Sequence, residues 1–117
     1  MSQRIDVTVA AVIENGGRFL LVEEEASGLI VFNQPAGHLE PGEKLTEAVA
    51  RETMEETGFT FVPEALLGVY LWHSIGADRT FLRVAFCGQA EPPAATPILD
   101  DGILCLLYTS PSPRDRG

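Results

Sequence analysis

The strongest constraint on this chain is a single helical segment set among strand-like runs. The spacing predicts a helix over about Thr46 to Thr57. Thr46 is the expected N-cap, Glu47 sits in the first turn where the helix dipole favours an acid, and Gly58 is a natural C-cap. The other apolar runs read as strands: Asp6 to Glu14, Arg18 to Glu24, Leu29 to Phe32, Leu66 to Trp72 and Phe81 to Cys87. Asn15-Gly16-Gly17 predicts a hairpin turn between the first two, because these residues accept positive φ. Ser74 to Arg79 connects the last two, Glu91 to Pro97 is a Pro-rich loop, and a final strand is expected from Ile98 onward. One helix among strands in 117 residues implies one small α/β domain, a mixed sheet packed on that helix.

The helix carries three carboxylates on one face. Glu52, Glu55 and Glu56 stand at i, i+3 and i+4, within an arc of roughly 100°. Val49, Ala50, Thr53 and Met54 fall on the other side and are expected to pack on the sheet; Ala48 shares the acidic face. Three neighbouring carboxylates repel one another, and a hard divalent cation with oxygen ligands, Mg²⁺ or Mn²⁺, relieves that repulsion. Arg51 is placed to pair with Glu55 at i+4 or to reach back to Glu43. The plainer alternative for such a cluster is a solvated acidic face. The preceding loop, Asn33 to Gly42, holds Pro35, Gly37, Pro41 and Gly42 and is expected to be irregular.

The net charge of −9 argues against a nucleic-acid duplex as partner, since phosphate backbones are gripped by basic patches. It leaves small phosphorylated ligands open where a metal supplies the positive charge. Cys87 and Cys105 match no metal-ligand spacing, and Cys87 reads as a small core residue. No apolar stretch approaches the length of a membrane helix, and the N-terminus lacks a signal-peptide pattern, so a cytoplasmic location is the expectation. Oligomeric state is left open.

The full pattern is G-x5-E-x7-R-E-U-x-E-E-x-G-U, formed by Gly37, Glu43, Arg51, Glu52, Glu55, Glu56 and Gly58, with Phe59 at the last apolar place. It resembles the Nudix box. Thr53 is the one weak match, standing where a larger aliphatic residue is usual. The resemblance covers about Val7 to Leu104 and implies an α/β/α sandwich with a mixed sheet that hydrolyses nucleoside diphosphates linked to another moiety. It also implies that Glu52, Glu55, Glu56 and the Gly37 carbonyl hold the metals. Glu52 is the first choice for the base that takes the proton of water, Glu43 the second, and Asp100 or Asp101 the third. A catalytically silent nucleotide-sensing module is the competing function, but such domains usually lose box glutamates and none is lost here.

The run Phe32-Asn33-Gln34-Pro35-Ala36-Gly37-His38-Leu39-Glu40 and the later Asp78 to Arg83 are similar to a bacterial branch of that family, the NudJ phosphatases. That likeness implies nucleoside tri- and diphosphates or thiamine-type pyrophosphates as substrates. Arg79 and Arg83 are the cations expected near a pocket mouth, able to take a terminal phosphate by bidentate bonds, with His38 beside them. Trp72 or Phe32 is a candidate for stacking on a ring, with core packing the first expectation for Phe32. Markers of the ADP-ribose, diadenosine polyphosphate, NADH and coenzyme A branches are missing.

Cys105 to Asp115 resembles the translation of a transposon-end sequencing adaptor. On that expectation the domain comprises residues 1–104 and is truncated at its C-terminus, with residues 105–117 a non-native tail. Cys105 to Tyr108 could still extend a strand.

Overall fold

The structure, a computed structural model, describes residues 4–26, 28–95 and 103–109. In chain order the elements are β1 (Ile5–Val12), β2 (Glu14–Asn15), β3 (Arg18–Ala26), β4 (Leu29–Asn33), β5 (Ala36–His38), α1 (Leu45–Thr57), β6 (Thr60–Ser74), β7 (Arg79–Glu91) and β8 (Ile103–Thr109). The expected mixed sheet is present in the order β5-β1-β7-β6. β1 and β7 run parallel, and both outer pairings are antiparallel. A second sheet is built on β3, with β2 and β4 on one edge and β8 on the other. One helix lies among the described residues, packed on the mixed sheet as the α/β expectation required.

β1 is the keystone, because Val9, Ala10 and Ala11 are fully buried. Alternation along the strand sends Val9 and Ala11 to one face, where they cluster with Ala48 and Val49 of α1 and with Phe59, Phe61, Val84 and Phe86. Each large apolar side chain removed from water there contributes about 1.5–3 kcal/mol. Thr8 and Ala10 necessarily point to the opposite face.

Helix α1 starts at Leu45, one residue before the expected bound. Lys44 is the N-cap residue: its carbonyl accepts from Ala48 N at 2.9 Å, and Glu47 Oε1 accepts from its N–H at 2.9 Å. Thr46 therefore lies inside the first turn and does not cap the helix. Gly58 ends the helix as expected, at φ 77°, with its N–H on the Met54 carbonyl at 2.8 Å. The inward stripe is Ala48, Val49, Thr53 and Thr57. Met54 is 46 % exposed, and Ala48 belongs to the core, so the apolar face is rotated from the expected one. Thr53 tolerates full burial by donating to the Val49 carbonyl at 2.7 Å, as Thr57 does to Thr53 at 2.6 Å.

The loop before the helix contains β5, which sequence periodicity had not revealed in three residues. It is held by register with β1, Thr8 facing His38 and Val9 facing Gly37. The Asn15-Gly16-Gly17 turn stands as expected, with Gly16 at φ 63° and Gly17 at φ 82°. β6 and β7 are longer than their apolar runs suggested. β6 passes through Pro63, which an edge strand tolerates, and shifts register between Pro63 and Ala65 and again between Leu66 and Gly68. Cys87 is half-buried, not a core residue. The final strand is described over Ile103–Thr109, so the expected domain boundary at residues 104 and 105 falls within it, and its expected start at Ile98 lies outside the described residues.

Candidate active site

The loop between β5 and α1 and the middle of α1 meet at one side chain. Arg51 donates through Nε and Nη2 to the two oxygens of Glu43, at 2.6 and 3.0 Å. Its Nη1 reaches Glu52 at 3.0 Å and Glu55 at 3.1 Å, and Nη2 also reaches the His38 carbonyl at 3.0 Å. Glu40 adds an ion pair at 3.7 Å. Both arrangements open to Arg51 from sequence are realised together, because a planar guanidinium offers five donors in a fixed fork.

Glu43 is itself fixed by a tight turn. Glu40 N donates to Glu43 Oε1 at 3.0 Å, Glu43 N donates to the Glu40 carbonyl at 3.1 Å, and Gly42 takes φ 82° between them. The hydrogen bond from Arg51 holds the Glu43 carboxyl below the usual carboxylate range, with the Glu40 backbone adding to that shift. Arg51 is shifted upward in turn, first by Glu43 and then by Glu52, so it stays charged at any ordinary pH. Two acids of the helix face thus share a positive charge already built into the protein.

The other acids are fixed against β5. Glu52 lies over Gly37, where an added Cβ would overlap its carboxyl group; only glycine lets the carboxylate come so near the strand. Glu56 Oε1 accepts from Ala36 N at 3.1 Å, one residue away. Among the described residues no three His, Cys, Asp or Glu side chains stand gathered as a preformed metal cage. The donor set still fits a hard divalent cation. It is all oxygen and crowded at one strand edge, with the Glu52 carboxylate in the space that a side chain at Gly37 would fill.

Beside this cluster lies a cavity of about 250 Å³ lined by Thr8, Glu24, Gln34, Glu56, Trp72 and Arg83, among others. Gly37 and His38 form part of its wall. Asn33, also in that wall, donates to Glu24 at 2.9 Å. Trp72 stacks on Phe81 at 5.3 Å between ring centroids, and the Arg83 guanidinium lies 5.8 Å from the Trp72 ring centre.

The structure therefore brings Gly37, Glu43, Arg51, Glu52, Glu55 and Glu56 together, with His38 and Arg83 at the adjoining cavity. It does not bring Arg79 there: Arg79 pairs with Asp6 at 3.2 Å and is absent from the cavity wall. Phe32 is 54 % exposed, not in the core, and lies outside that wall too. Asp100 and Asp101 fall outside the described residues. Sequence reasoning missed Thr8, Glu24, Asn33 and Gln34. A lone threonine in an apolar strand carries no signal, and only the parallel pairing of β1 with β7 reveals its neighbour.

Known proteins point the same way. The NUDIX domain family matches residues 3–101. Phosphatase NudJ of Escherichia coli K12 is 44% identical over 105 residues, covering 89% of this chain and 67% of the relative. A NUDIX hydrolase from Nitrosomonas europaea superimposes with a TM-score of 0.87 at 46% identity, over 92% of this chain and 73% of that one. The MutT protein of Methanosarcina mazei Go1 does so with a TM-score of 0.76 at 27% identity, over 94% of this chain and 80% of its own.

Proposed function

The chain belongs to the Nudix hydrolase family, and from that premise we propose that it cleaves the pyrophosphate bond of a nucleoside tri- or diphosphate, or of a thiamine-type pyrophosphate, with Mg²⁺ or Mn²⁺. The observation that carries this reading is the Arg51 hub. One guanidinium ties the loop acid Glu43 to the helix acids Glu52 and Glu55, with the Glu52 carboxylate seated against Gly37. A merely solvated acidic face has no use for that organisation. The 44% identity to phosphatase NudJ supports a phosphorylated substrate.

Glu52, Glu55, Glu56 and the Gly37 carbonyl are the residues that would hold the metal, whose bound charge neutralises the diphosphate and acidifies water. Glu52 is the proposed base, accepting the proton of the attacking water on its carboxylate. Its bond to Arg51 and its seat over Gly37 restrict how that carboxylate turns. Arg51 touches no substrate in this scheme: it positions Glu52 and Glu55, and Glu43 positions Arg51. Arg83 and His38 face the substrate from the cavity wall. Arg79 keeps only a peripheral role, through Asp6. A cytoplasmic location belongs to the same proposal; among the described residues no helix is long and apolar enough to cross a membrane. Residues 105–117 supply none of these groups.

The test is release of phosphate and pyrophosphate from a nucleotide and thiamine-pyrophosphate panel with Mg²⁺. Glu52→Gln is expected to lower the rate by about 10²–10⁴-fold, and Glu56→Gln to raise the Mg²⁺ concentration needed for half-maximal rate. Release that survives both substitutions unchanged sinks the assignment. No release from any substrate favours a nucleotide-sensing module.

A further inference from the structure

On the sheet face away from α1, register places four side chains in one row across all four strands. His38 of β5 stands opposite Thr8 of β1, Thr8 opposite Arg83 of β7, and Arg83 opposite Tyr70 of β6. Paired positions point to the same face, so the row is polar where its neighbours Ala10 and Ala85 are not. Two atoms in the row are buried with no hydrogen-bond partner, Thr8 Oγ1 and Arg83 Nε. Thr8 is only 7 % exposed. Both residues line the 250 Å³ cavity beside Glu56. Buried hydroxyl and guanidinium donors left unmade each cost free energy, and two on adjacent strands, in residues that line one cavity, ask for a common acceptor.

We propose that Thr8 and Arg83 form a specificity pair that binds an acceptor oxygen on the part of the substrate that is not attacked, either a phosphoryl oxygen or a ring carbonyl. Thr8 Oγ1 and Arg83 Nε donate to that oxygen together. Trp72 holds the guanidinium in place, its ring stacked on Phe81 and its centre 5.8 Å from Arg83. Glu56 lines the same cavity, so a ligand there meets an acid as well as the donor pair. The identity of the ligand rests on the hydrolase reading; the presence of a binding pair does not.

Trp72 is the sole tryptophan and lines this cavity, so tryptophan fluorescence reports on its surroundings. The protein is titrated with inorganic pyrophosphate and Mg²⁺, which offer phosphoryl oxygens only, and separately with guanosine and uridine, which offer ring carbonyls without phosphate. At least one class is expected to give a saturable change, and which one does identifies the source of the oxygen. Thr8→Val is expected to weaken that binding about 3–10-fold, and Thr8→Ser to restore it. Arg83→Lys, which keeps the charge and lacks the Nε–H, is expected to weaken it about 10-fold or more.

The free protein provides a second, opposite readout. Thr8→Val removes an orphaned hydroxyl, so its melting temperature is expected to rise by roughly 2–8 °C while binding falls. A threonine kept for structure alone predicts a fall in both. The proposal is overturned if none of the probes changes Trp72 fluorescence, if Thr8→Val binds like the parent, or if Thr8→Val melts lower. Saturable binding without turnover refutes hydrolysis and leaves the pair standing. Turnover with KM unchanged in Thr8→Val keeps hydrolysis and overturns the pair.

Discussion

Arg51 shows how one residue can organise a cluster of acids drawn from a loop and a helix. It spends its donors on Glu43, Glu52, Glu55 and the His38 carbonyl, and Glu43 takes two of the bonds. Because the Glu43 carboxyl is held below its ordinary value of 4.5, the folded state binds that proton less readily than the unfolded chain. The stability it contributes is fully present above that ordinary value and is lost as pH falls through the lowered one. Acid unfolding followed by circular dichroism is expected to show a steeper loss of stability below about pH 4.5 in the parent than in Glu43→Gln. Equal slopes would mean that the pair is screened by solvent. The residues of this hub were legible from their spacing, because helix geometry alone sets i, i+3 and i+4. Their partners were only half legible: sequence offered Arg51 two alternatives, and the fold of the Glu40 to Glu43 turn is what lets it take both.

At the scale of elements, α1 was read nearly whole, and its errors have simple causes. The N-terminus moved to Leu45 because the Lys44 backbone, bonded to the Glu47 side chain, serves where a threonine side chain was expected. The inward face rotated because Thr53 and Thr57 hide their hydroxyls in the helix backbone and so behave as apolar residues, leaving Met54 outside. At the C-terminus Gly58 is required by its φ of 77°. Gly58→Ala is expected to cost about 1 kcal/mol or slightly more in urea unfolding, since a Cβ is strained in that conformation. A neutral result would show that the helix end can rewind. β5 was invisible for a different reason: three residues are too few for periodicity, and only pairing with β1 makes them a strand.

For the whole molecule, the mixed sheet on one helix was readable from the order of apolar runs, whereas the sheet order was not. Nothing local announces that β1 and β7 lie side by side in parallel. Nor did sequence show how much apolar surface β6 leaves outside. Leu66, Leu67, Val69, Tyr70, Leu71 and Trp72 are all exposed along this edge strand, Leu71 at 66 %. Long apolar edges promote association, and a lysine there opposes it. Sedimentation at increasing concentration is expected to show reversible self-association that Leu71→Lys suppresses, with melting shifted by no more than about 0.5 kcal/mol equivalent. A monomer at all concentrations would show that the edge is covered in solution.

The parallel seam between β1 and β7 also sets a timetable. Thr8 leaves the ribosome before Arg83, with the hairpin, the helix and β6 made in between. Contacts so far apart along the chain form late, after long loops have closed. Until β7 has been synthesised and docked, the cavity wall lacks Phe81 and Arg83. A nascent or partly folded copy can therefore display the whole helix of acids while the cavity beside it is still incomplete.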